Sequence, residues 1–416
     1  MRMNKHLMAF VGGAALLASA VAPALAGYYD NLPTLTSPPN TATVPMDTNY
    51  GQGRQPQTGK ATLSTINSAS MSNTGSGGWR NALIGGDFGT NLWQRGTTGA
   101  STTTVLTYGP DRWWGLSGTG TAFTQARVTS SQTAGYAASN RVQRTAAQTG
   151  VLPICVGQVL SSANSTRFQG QLAEFSFYLK LGATFSAASS QLTAYIATGT
   201  GSDQSAANFS TGSWTGYAEA AATVVTGTTS WDRYSVTGAI PSTATQIGVK
   251  ICYTPVGTAG ATDYFEFTGA QLDVNPGAVA RTSSSQIAGQ YSIASVERRP
   301  ASIEALLQYS YFWRLNEPAS GAALSGSCQA TGANTNICNV FMPVMMRTTT
   351  PTIAITTAGT FKVNIAGTPT TIATPTASTC SSTACAVTAA NTNTAGQAEL
   401  FSGGGGSGAW DVSAEL

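Results

Sequence analysis

The sequence predicts an all-β protein, an antiparallel jelly-roll sandwich followed by a smaller C-terminal β domain. Apolar residues alternate with polar ones in short segments, and clusters of Gly, Ser and Thr separate these segments. Long helical patterns are missing. Several short strands with small-residue turns over roughly 200 residues are typical of a sandwich or jelly roll.

The N-terminus has the pattern of an export signal. Arg2 and Lys5 give it a basic start, an apolar run covers residues 7–23, and small residues follow at positions 24–26. The run contains Gly, Ser and Pro and falls short of the roughly 20 apolar residues that span a bilayer. A cleaved signal peptide over residues 1–26 is therefore favoured over a membrane anchor, which predicts a secreted or cell-surface protein.

Residues 27–80 are predicted to form a low-complexity arm or linker. Pro, Thr, Ser, Asn and Gly dominate this stretch, and its few apolar residues bury too little surface to offset the entropy of ordering. Leu32, Leu35 and Val44 have no domain of their own to enter. We therefore expect the arm to dock or to associate with other copies.

Strand-like alternation fills residues 81–285, the predicted jelly roll. In residues 173–181 one face carries Ala, Phe, Phe, Leu and Leu, and the other carries Glu, Ser, Tyr and Lys. Residues 247–253 alternate in the same way. The C-terminal residues 286–416 repeat the pattern around Phe361 and Val363, after one helical pattern at residues 301–307 and an aromatic run at 309–313.

All six cysteines lie beyond the signal, which agrees with export. Six cysteines allow 15 pairings. Proximity favours Cys328–Cys338 and Cys380–Cys385, which leaves Cys155 and Cys252 for a long-range bridge. A zinc site is disfavoured because no two tight C-x₂₋₄-C pairs occur. An oxidising compartment accounts for all six cysteines.

Charge and histidine content narrow the possible functions. His6 is the only histidine and lies in the signal, so the mature chain has no imidazole base or ligand. Removal of Arg2 and Lys5 with the signal leaves 18 basic and 17 acidic residues. The sequence also lacks the cluster of basic residues with which a nucleic-acid-binding protein contacts phosphates. We expect no nucleic-acid partner.

The nearest carboxylate pair with aromatic neighbours is Asp263 and Glu266. Glycoside hydrolysis needs two carboxylates about 5–9.5 Å apart, but a spacing of three residues places these two on opposite faces of a strand. They are expected to be solvated surface charges, and the chain is expected to be non-catalytic. Asp111 and Arg112 are expected to form a framework ion pair.

Ten short motifs, taken in their order along the chain, resemble those of a known protein family. These are MDT at 46–48, QPQT at 55–58, NALIGGDF at 81–88, WQRGT at 93–97, YGPDRW at 108–113, SWDRYSVT at 230–237, FTGAQLD at 267–273, EALLQYSY at 304–311, MRTTTP at 346–351 and AEL at 414–416. They resemble the carbohydrate-binding-module-like (galactose-binding-like) jelly roll of bacteriophage tail-fibre and minor structural proteins, together with the small domain that follows it.

The resemblance implies a non-enzymatic surface-recognition or structural protein that is often trimeric. Its partner would be a surface glycan or another structural protein, and a virion tail becomes the alternative location. Related modules often hold a structural calcium with an acidic residue just after Gly-Asp-Phe, but here that place is Gly89. No other cofactor is expected. Phage structural proteins assemble in the cytoplasm and do not carry an export signal. The signal therefore indicates either a bacterial gene that adopted the module or a wrongly assigned start codon that creates a spurious signal.

Tryptophans are the candidate glycan-binding residues, since flat rings stack on the apolar faces of sugars. Adjacent Trp113 and Trp114 must point to opposite faces of a strand, so one is a candidate exposed platform. Trp214, in a Gly/Ser/Thr-rich stretch, is another. Three further tryptophans lie in framework motifs and are expected in the core: Trp93, Trp231 and Trp313.

Two other functions stay open on the sequence. One is a secreted polysaccharide-active enzyme, and the other is a purely structural fibre component without a ligand. Turnover of a surface polysaccharide would favour the enzyme, whereas saturable glycan binding without turnover would favour an adhesion protein.

Overall fold

The computed structural model describes residues 43–47, 58–62, 79–89, 93–101, 105–316, 323–332, 335–357, 361–365, 368–371, 373–390, 398–403, 405 and 408–416. The predicted signal and most of the predicted arm lie outside these residues. The chain divides into two units. In the first, Met1–Ser70, strands β1 (Thr43–Asp47) and β2 (Thr58–Thr62) pair antiparallel. The second unit, Met71–Leu416, contains the other described strands and the helices.

Twelve strands of the second unit form a sandwich. They are β3 (Thr98–Ser101), β4 (Thr107–Tyr108), β5 (Trp114–Ser117), β6 (Phe123–Val128), β7 (Ser139–Arg144), β8 (Ile154–Val159), β9 (Leu172–Leu181), β10 (Gln191–Gly199), β11 (Ala218–Thr226), β12 (Asp232–Ala239), β13 (Gln246–Tyr253) and β14 (Tyr264–Val274). Sheet I has the order β11-β10-β13-β8-β5-β4, and sheet II has β12-β9-β14-β7-β6-β3. Neighbouring strands pair antiparallel, so the predicted all-β jelly-roll sandwich is confirmed.

The core lies between the two sheets and follows the period-two pattern. Along β9, Phe175, Phe177 and Leu179 are fully buried in it. At its centre Phe88 packs edge to face with Phe267, with ring centroids 4.8 Å apart, and lies tilted against Trp113 at 5.4 Å. Side chains from both sheets thus meet in one hydrophobic layer.

Short helices lie at the margins of the sandwich. They are α1 (Ser162–Ser165) and α2 (Ala206–Ser210), with 3-10 turns at Thr166–Phe168 and Ala188–Ser190. The predicted helix at 301–307 is confirmed as α3 (Ala301–Tyr309). Among the described residues, no helix is long and apolar enough to cross a membrane.

The C-terminal residues form two further antiparallel sheets. Their strands are β15 (Phe312–Asn316), β16 (Ala323–Gly332), β17 (Thr335–Phe341), β18 (Thr352–Thr357), β19 (Lys362–Ile365), β20 (Thr368–Thr371), β21 (Ala373–Cys380), β22 (Ala384–Ala390), β23 (Ala398–Ser402) and β24 (Ala409–Ser413). One sheet has the order β15-β24-β18 and the other β20-β19-β23-β16-β17-β22-β21. Phe361, Phe401 and Trp410 stack in their shared core.

The three expected disulfides are present: Cys155–Cys252, Cys328–Cys338 and Cys380–Cys385. In each pair the two cysteines stand opposite one another on adjacent antiparallel strands. Cys155 and Cys252 join β8 to β13 at the centre of sheet I.

Two predictions about charges are wrong. Asp263 and Glu266 are fully buried rather than solvated, because each meets a cation: Arg144 for Asp263, and Arg141 and Lys180 for Glu266. An isolated buried carboxylate is costly, whereas a paired one is tolerated.

Asp111 and Arg112 do not pair with each other. Asp111 accepts from Arg95 at 2.8 Å, and Arg112 pairs with Glu415 near the C-terminal end. Adjacent residues point in different directions, so the two side chains reach different partners. Both pairs still tie the framework together, and Arg112 links the jelly roll to the C-terminal region.

Candidate functional site

The tryptophans expected to form an exposed platform are buried. Trp113 and Trp114 do point to opposite faces of sheet I, as predicted, but both are 0% exposed, and Trp214 is 3% exposed. Trp113 enters the core between the sheets, while Trp114 and Trp214 belong to a separate cluster on the outer face of sheet I. The expectation of exposure at these three residues is therefore wrong.

Helix α2 is the reason that this outer cluster is covered. Ser205 caps the helix, since its hydroxyl accepts a hydrogen bond from the Asn208 amide at 3.2 Å. The Ser205 carbonyl accepts a second hydrogen bond, from the Trp214 indole, at 2.9 Å. Phe209 on the helix lies 4.7 Å from Trp214 and 6.0 Å from Trp114 between ring centroids. One end of the outer face of sheet I is thereby covered with aromatic rings.

Two glycines let these rings lie directly on the sheet. A Cβ at Gly248 would come within 2.7 Å of the Phe209 ring, and one at Gly157 within 2.6 Å of the Trp114 ring. Such distances are too short for any real Cβ contact. The cover therefore depends on the absence of side chains at these two strand positions.

The other end of the same face is open. Cross-strand register places Val224, Thr193, Cys252 and Cys155 in one row across β11, β10, β13 and β8. The next row, toward α2, contains Tyr195 directly opposite Lys250. These two rows line a groove of about 340 Å³, whose floor is the Cys155–Cys252 disulfide.

Lys250 lies where the groove meets the covered end, and only 7% of its surface is exposed. Its Nζ is 4.9 Å from the ring centroid of Tyr195 and 5.3 Å from that of Phe209. It donates to the Tyr217 hydroxyl at 3.3 Å, and that hydroxyl donates to Glu219 at 3.1 Å. An ammonium group is thus held between aromatic faces.

Burial dominates the electrostatics here. It lowers the pKa of Lys250, with a smaller opposing effect from Glu219, because desolvation disfavours the charged ammonium. Burial and the nearby Glu219 raise the pKa values of Tyr195 and Tyr217, so both hydroxyls stay neutral at physiological pH. The groove therefore offers neutral hydroxyl groups beside one cation.

The calcium position of related modules does not fit this chain. Gly89 offers no carboxylate, and its amide instead donates to Asp87 at 3.2 Å. A small cavity of about 30 Å³ lies nearby, but its carboxylates are engaged: Glu297 accepts from the amides of residues 80 and 81, and Glu304 pairs with Arg299. Among the described residues, no group of three His, Cys, Asp or Glu side chains is placed to hold a metal.

Sequence reasoning missed Tyr195 and Lys250. The available signal was the alternation in β13, where Lys250 and Cys252 share the face opposite to the apolar residues. The predicted Cys155–Cys252 bridge already implied that β8 is near β13. The sequence gives no comparable signal for β10, so Tyr195 was not associated with them.

Neither a protein-family model nor a curated protein matches the chain. Among solved structures, the chain is similar to the CBM22-1–GH10 modules of endo-1,4-beta-D-xylanase 10B from Clostridium thermocellum, complexed with xylohexaose. The identity is 16%, with 41% of this chain and 27% of that chain covered and a TM-score of 0.25. The chain thus spans about a quarter of that xylanase structure.

Two other solved structures show similar values. A CBM61 module in complex with beta-1,4-galactotriose is 10% identical, with 47% of this chain and 99% of that chain covered and a TM-score of 0.26. The enzymatically active domain of bacteriophage CBA120 tailspike protein 4 is 10% identical, with 47% of this chain and 21% of that chain covered and a TM-score of 0.27.

Proposed function

We propose that this chain is a non-catalytic adhesion protein of the cell surface or of a phage-tail-like structure, and that it binds glycans in the groove of sheet I. The observation that carries the proposal is the half-covered outer face of that sheet. Helix α2 covers one end, whereas the other end is a concave surface with a tyrosine ring beside hydroxyl and amide groups. Sugars are bound by this combination of aromatic faces and hydrogen-bonding groups.

The charges of the groove support binding rather than hydrolysis. Among the described residues that line it, none is Asp or Glu, so the two carboxylates of a glycosidase are not provided there. Asp263 and Glu266 are each held in buried ion pairs outside the groove. The three disulfides support a location in an oxidising compartment, as for an exported protein.

Affinity electrophoresis on a panel of neutral and acidic polysaccharides tests this proposal. At least one polysaccharide should retard the protein, and Tyr195→Ala should weaken that binding about fivefold to tenfold, since an aromatic contact contributes roughly 1 kcal/mol. Tyr291→Ala is the matched control, because Tyr291 is also half-buried but lies outside the groove.

Two results would contradict the proposal. Retardation by none of the polysaccharides would remove glycan binding and favour a fibre component without a ligand. Release of reducing ends from a bound polysaccharide would favour the secreted enzyme.

A further inference from the structure

The groove contains a cation whose charge is not balanced by a direct ion pair. Lys250 is the one charged residue among the described residues that line it. Its only hydrogen-bond partner in the described part of the chain is the neutral Tyr217 hydroxyl. An ammonium group has three N–H donors, so two of them are left for a ligand.

Other buried charges in the sandwich are arranged differently. Lys180, on the outer face of sheet II, lies 3.1 Å from Glu266, and its Nζ is 5.0 Å from the Trp231 ring. Arg144 is fully buried against Asp263. Lys180 therefore also lies beside an aromatic ring, but unlike Lys250 it has a carboxylate partner. Buried charges are normally paired, but in the described part of the chain no carboxylate lies within ion-pair distance of Lys250.

Lys250 lines the groove, and the 7% of its surface that is exposed lies beside the positions where a sugar would bind. It stands directly across the sheet from Tyr195 and one row from the open floor at Thr193 and Cys252. A sugar ring against Tyr195 would bring its substituents next to the ammonium. The Tyr217 hydroxyl and the ring of Tyr195 hold Lys250 in place, so little side-chain freedom would be lost on binding.

We propose that the groove selects glycans that carry carboxylates, such as uronic or sialic acids, and that Lys250 pairs with the carboxylate. This inference rests on the proposed glycan-binding function. A free N–H of the ammonium can donate to a carboxylate oxygen, and a charge-assisted hydrogen bond is about twice as strong as a neutral one. The rings of Tyr195, Phe209 and Tyr217 surround the ammonium of Lys250. Its attraction to a bound carboxylate is therefore less screened by water and salt than it would be on an open surface.

The test compares each acidic polysaccharide with its carboxyl-reduced form, which keeps the sugar backbone but removes the charge. Hyaluronan, alginate, polygalacturonate and polysialic acid are titrated into the full chain by calorimetry. At least one acid form should bind about tenfold or more tightly than its reduced form. Lys250→Met should abolish this preference, and Lys250→Arg should retain most of it, because the charge remains.

Lys180→Met is the matched control and should leave the preference unchanged, since its loss leaves Glu266 paired with Arg141. Circular dichroism establishes that each variant is folded. Equal binding of acid and reduced forms, unaffected by Lys250→Met, would overturn this inference and leave glycan binding intact. Dextran sulfate is titrated as a sulfated control, and its binding without binding of any carboxylated polymer would also overturn the inference. Binding of none of these polymers would overturn this inference, whereas glycan binding itself would be overturned only if the neutral polysaccharides also failed to retard the protein in affinity electrophoresis.

Discussion

Arg144 is a fully buried charge of the sandwich with several hydrogen-bond partners. It is completely buried with Asp263 at 3.2 Å, and its Nη2 also donates to the carbonyls of Gln148, Gly150 and Gly257 at 2.7 Å each. One side chain thus satisfies several buried acceptors in the loops next to β7. Its removal would leave the Asp263 carboxylate without its cation, with only Ser186, among the described residues, still donating to it, and would remove one donor from each of the three carbonyls.

We expect Arg144→Met to lower the free energy of unfolding by about 3–5 kcal/mol, the usual result of breaking a buried pair. Arg347→Met is the control. Its partner Asp203 has a side chain that is 41% exposed, so the loss should stay below about 1 kcal/mol. Urea unfolding of both variants measures the difference. Equal losses would contradict the role assigned to Arg144.

Two buried carboxylates face each other on sheet II. Glu174 and Asp273 stand directly opposite on β9 and β14, and each has one buried oxygen without a hydrogen-bond partner in the described structure. The pKa of Asp273 is raised from its ordinary value of 3.8 to about 7. Burial is the largest cause and the charge of Glu174 the second, while the nearby Arg80 lowers the pKa by a smaller amount. Between about pH 4 and pH 7, Asp273 therefore keeps a proton in the folded protein that it releases in the unfolded chain.

Because the folded pKa of Asp273 is the higher one, its contribution to stability is full below about pH 4 and is lost as the pH rises toward 7. We expect the wild-type protein to lose about 4 kcal/mol through this group between pH 4 and pH 8. Asp273→Asn does not titrate, so its stability should fall less over that range. Urea unfolding at several pH values is the measurement, and parallel profiles for the two proteins would contradict the assignment.

At the scale of the strands, the Cys155–Cys252 bridge connects residues 97 apart in sequence and also forms the floor of the groove. Restriction of the unfolded chain by a loop of this length stabilises a protein by about 4–5 kcal/mol. The Cys380–Cys385 bridge joins residues only five apart. The same relation gives about 2 kcal/mol for that short loop.

Replacing Cys155 and Cys252 together by Ala should therefore lower the free energy of unfolding by more than replacing Cys380 and Cys385 together. Chemical denaturation of the two double variants gives the comparison, after peptide mapping without reduction has established the bridges in the exported protein. A smaller loss for the long-range bridge, or a free thiol at Cys155, would contradict this prediction.

At the scale of the whole molecule, the protein is predicted to be a homo-oligomer, and the family resemblance favours a trimer. The arm over residues 27–80 is expected to contribute, and several weak glycan sites on one oligomer would gain avidity. Light scattering on the full-length and arm-deleted protein checks this prediction. A monomer in both forms at micromolar concentration would contradict it.

The C-terminal region and the jelly roll are connected through charged and polar side chains that are distant in sequence. Arg112 pairs with Glu415, and Gln308 of α3 donates to Asp111. The Arg112 guanidinium also lies over the Tyr311 ring, 3.7 Å from its centroid. These partners cannot be identified by local pattern, which explains why the adjacent Asp111 and Arg112 were expected to pair with each other.

The sequence by itself determined the elements and their local order. Period-two alternation identified β9, β13 and β19, the helical pattern identified α3, and cysteine spacing gave all three bridges. These features depend on residues close in the chain, or on elimination among six cysteines. Alternation also established that Trp113 and Trp114 lie on opposite faces, because successive strand residues always do.

Only the tertiary structure decided which face is open. Trp114 lies on an outer face, but α2 arrives from another part of the chain and covers it, while the row of Thr193 and Cys252 stays uncovered. Tyr195 and Lys250 become neighbours through the register of β10 with β13, strands about fifty residues apart in the chain. Burial and cross-strand pairing are properties of the packed sheets, so they decided the groove and its charge.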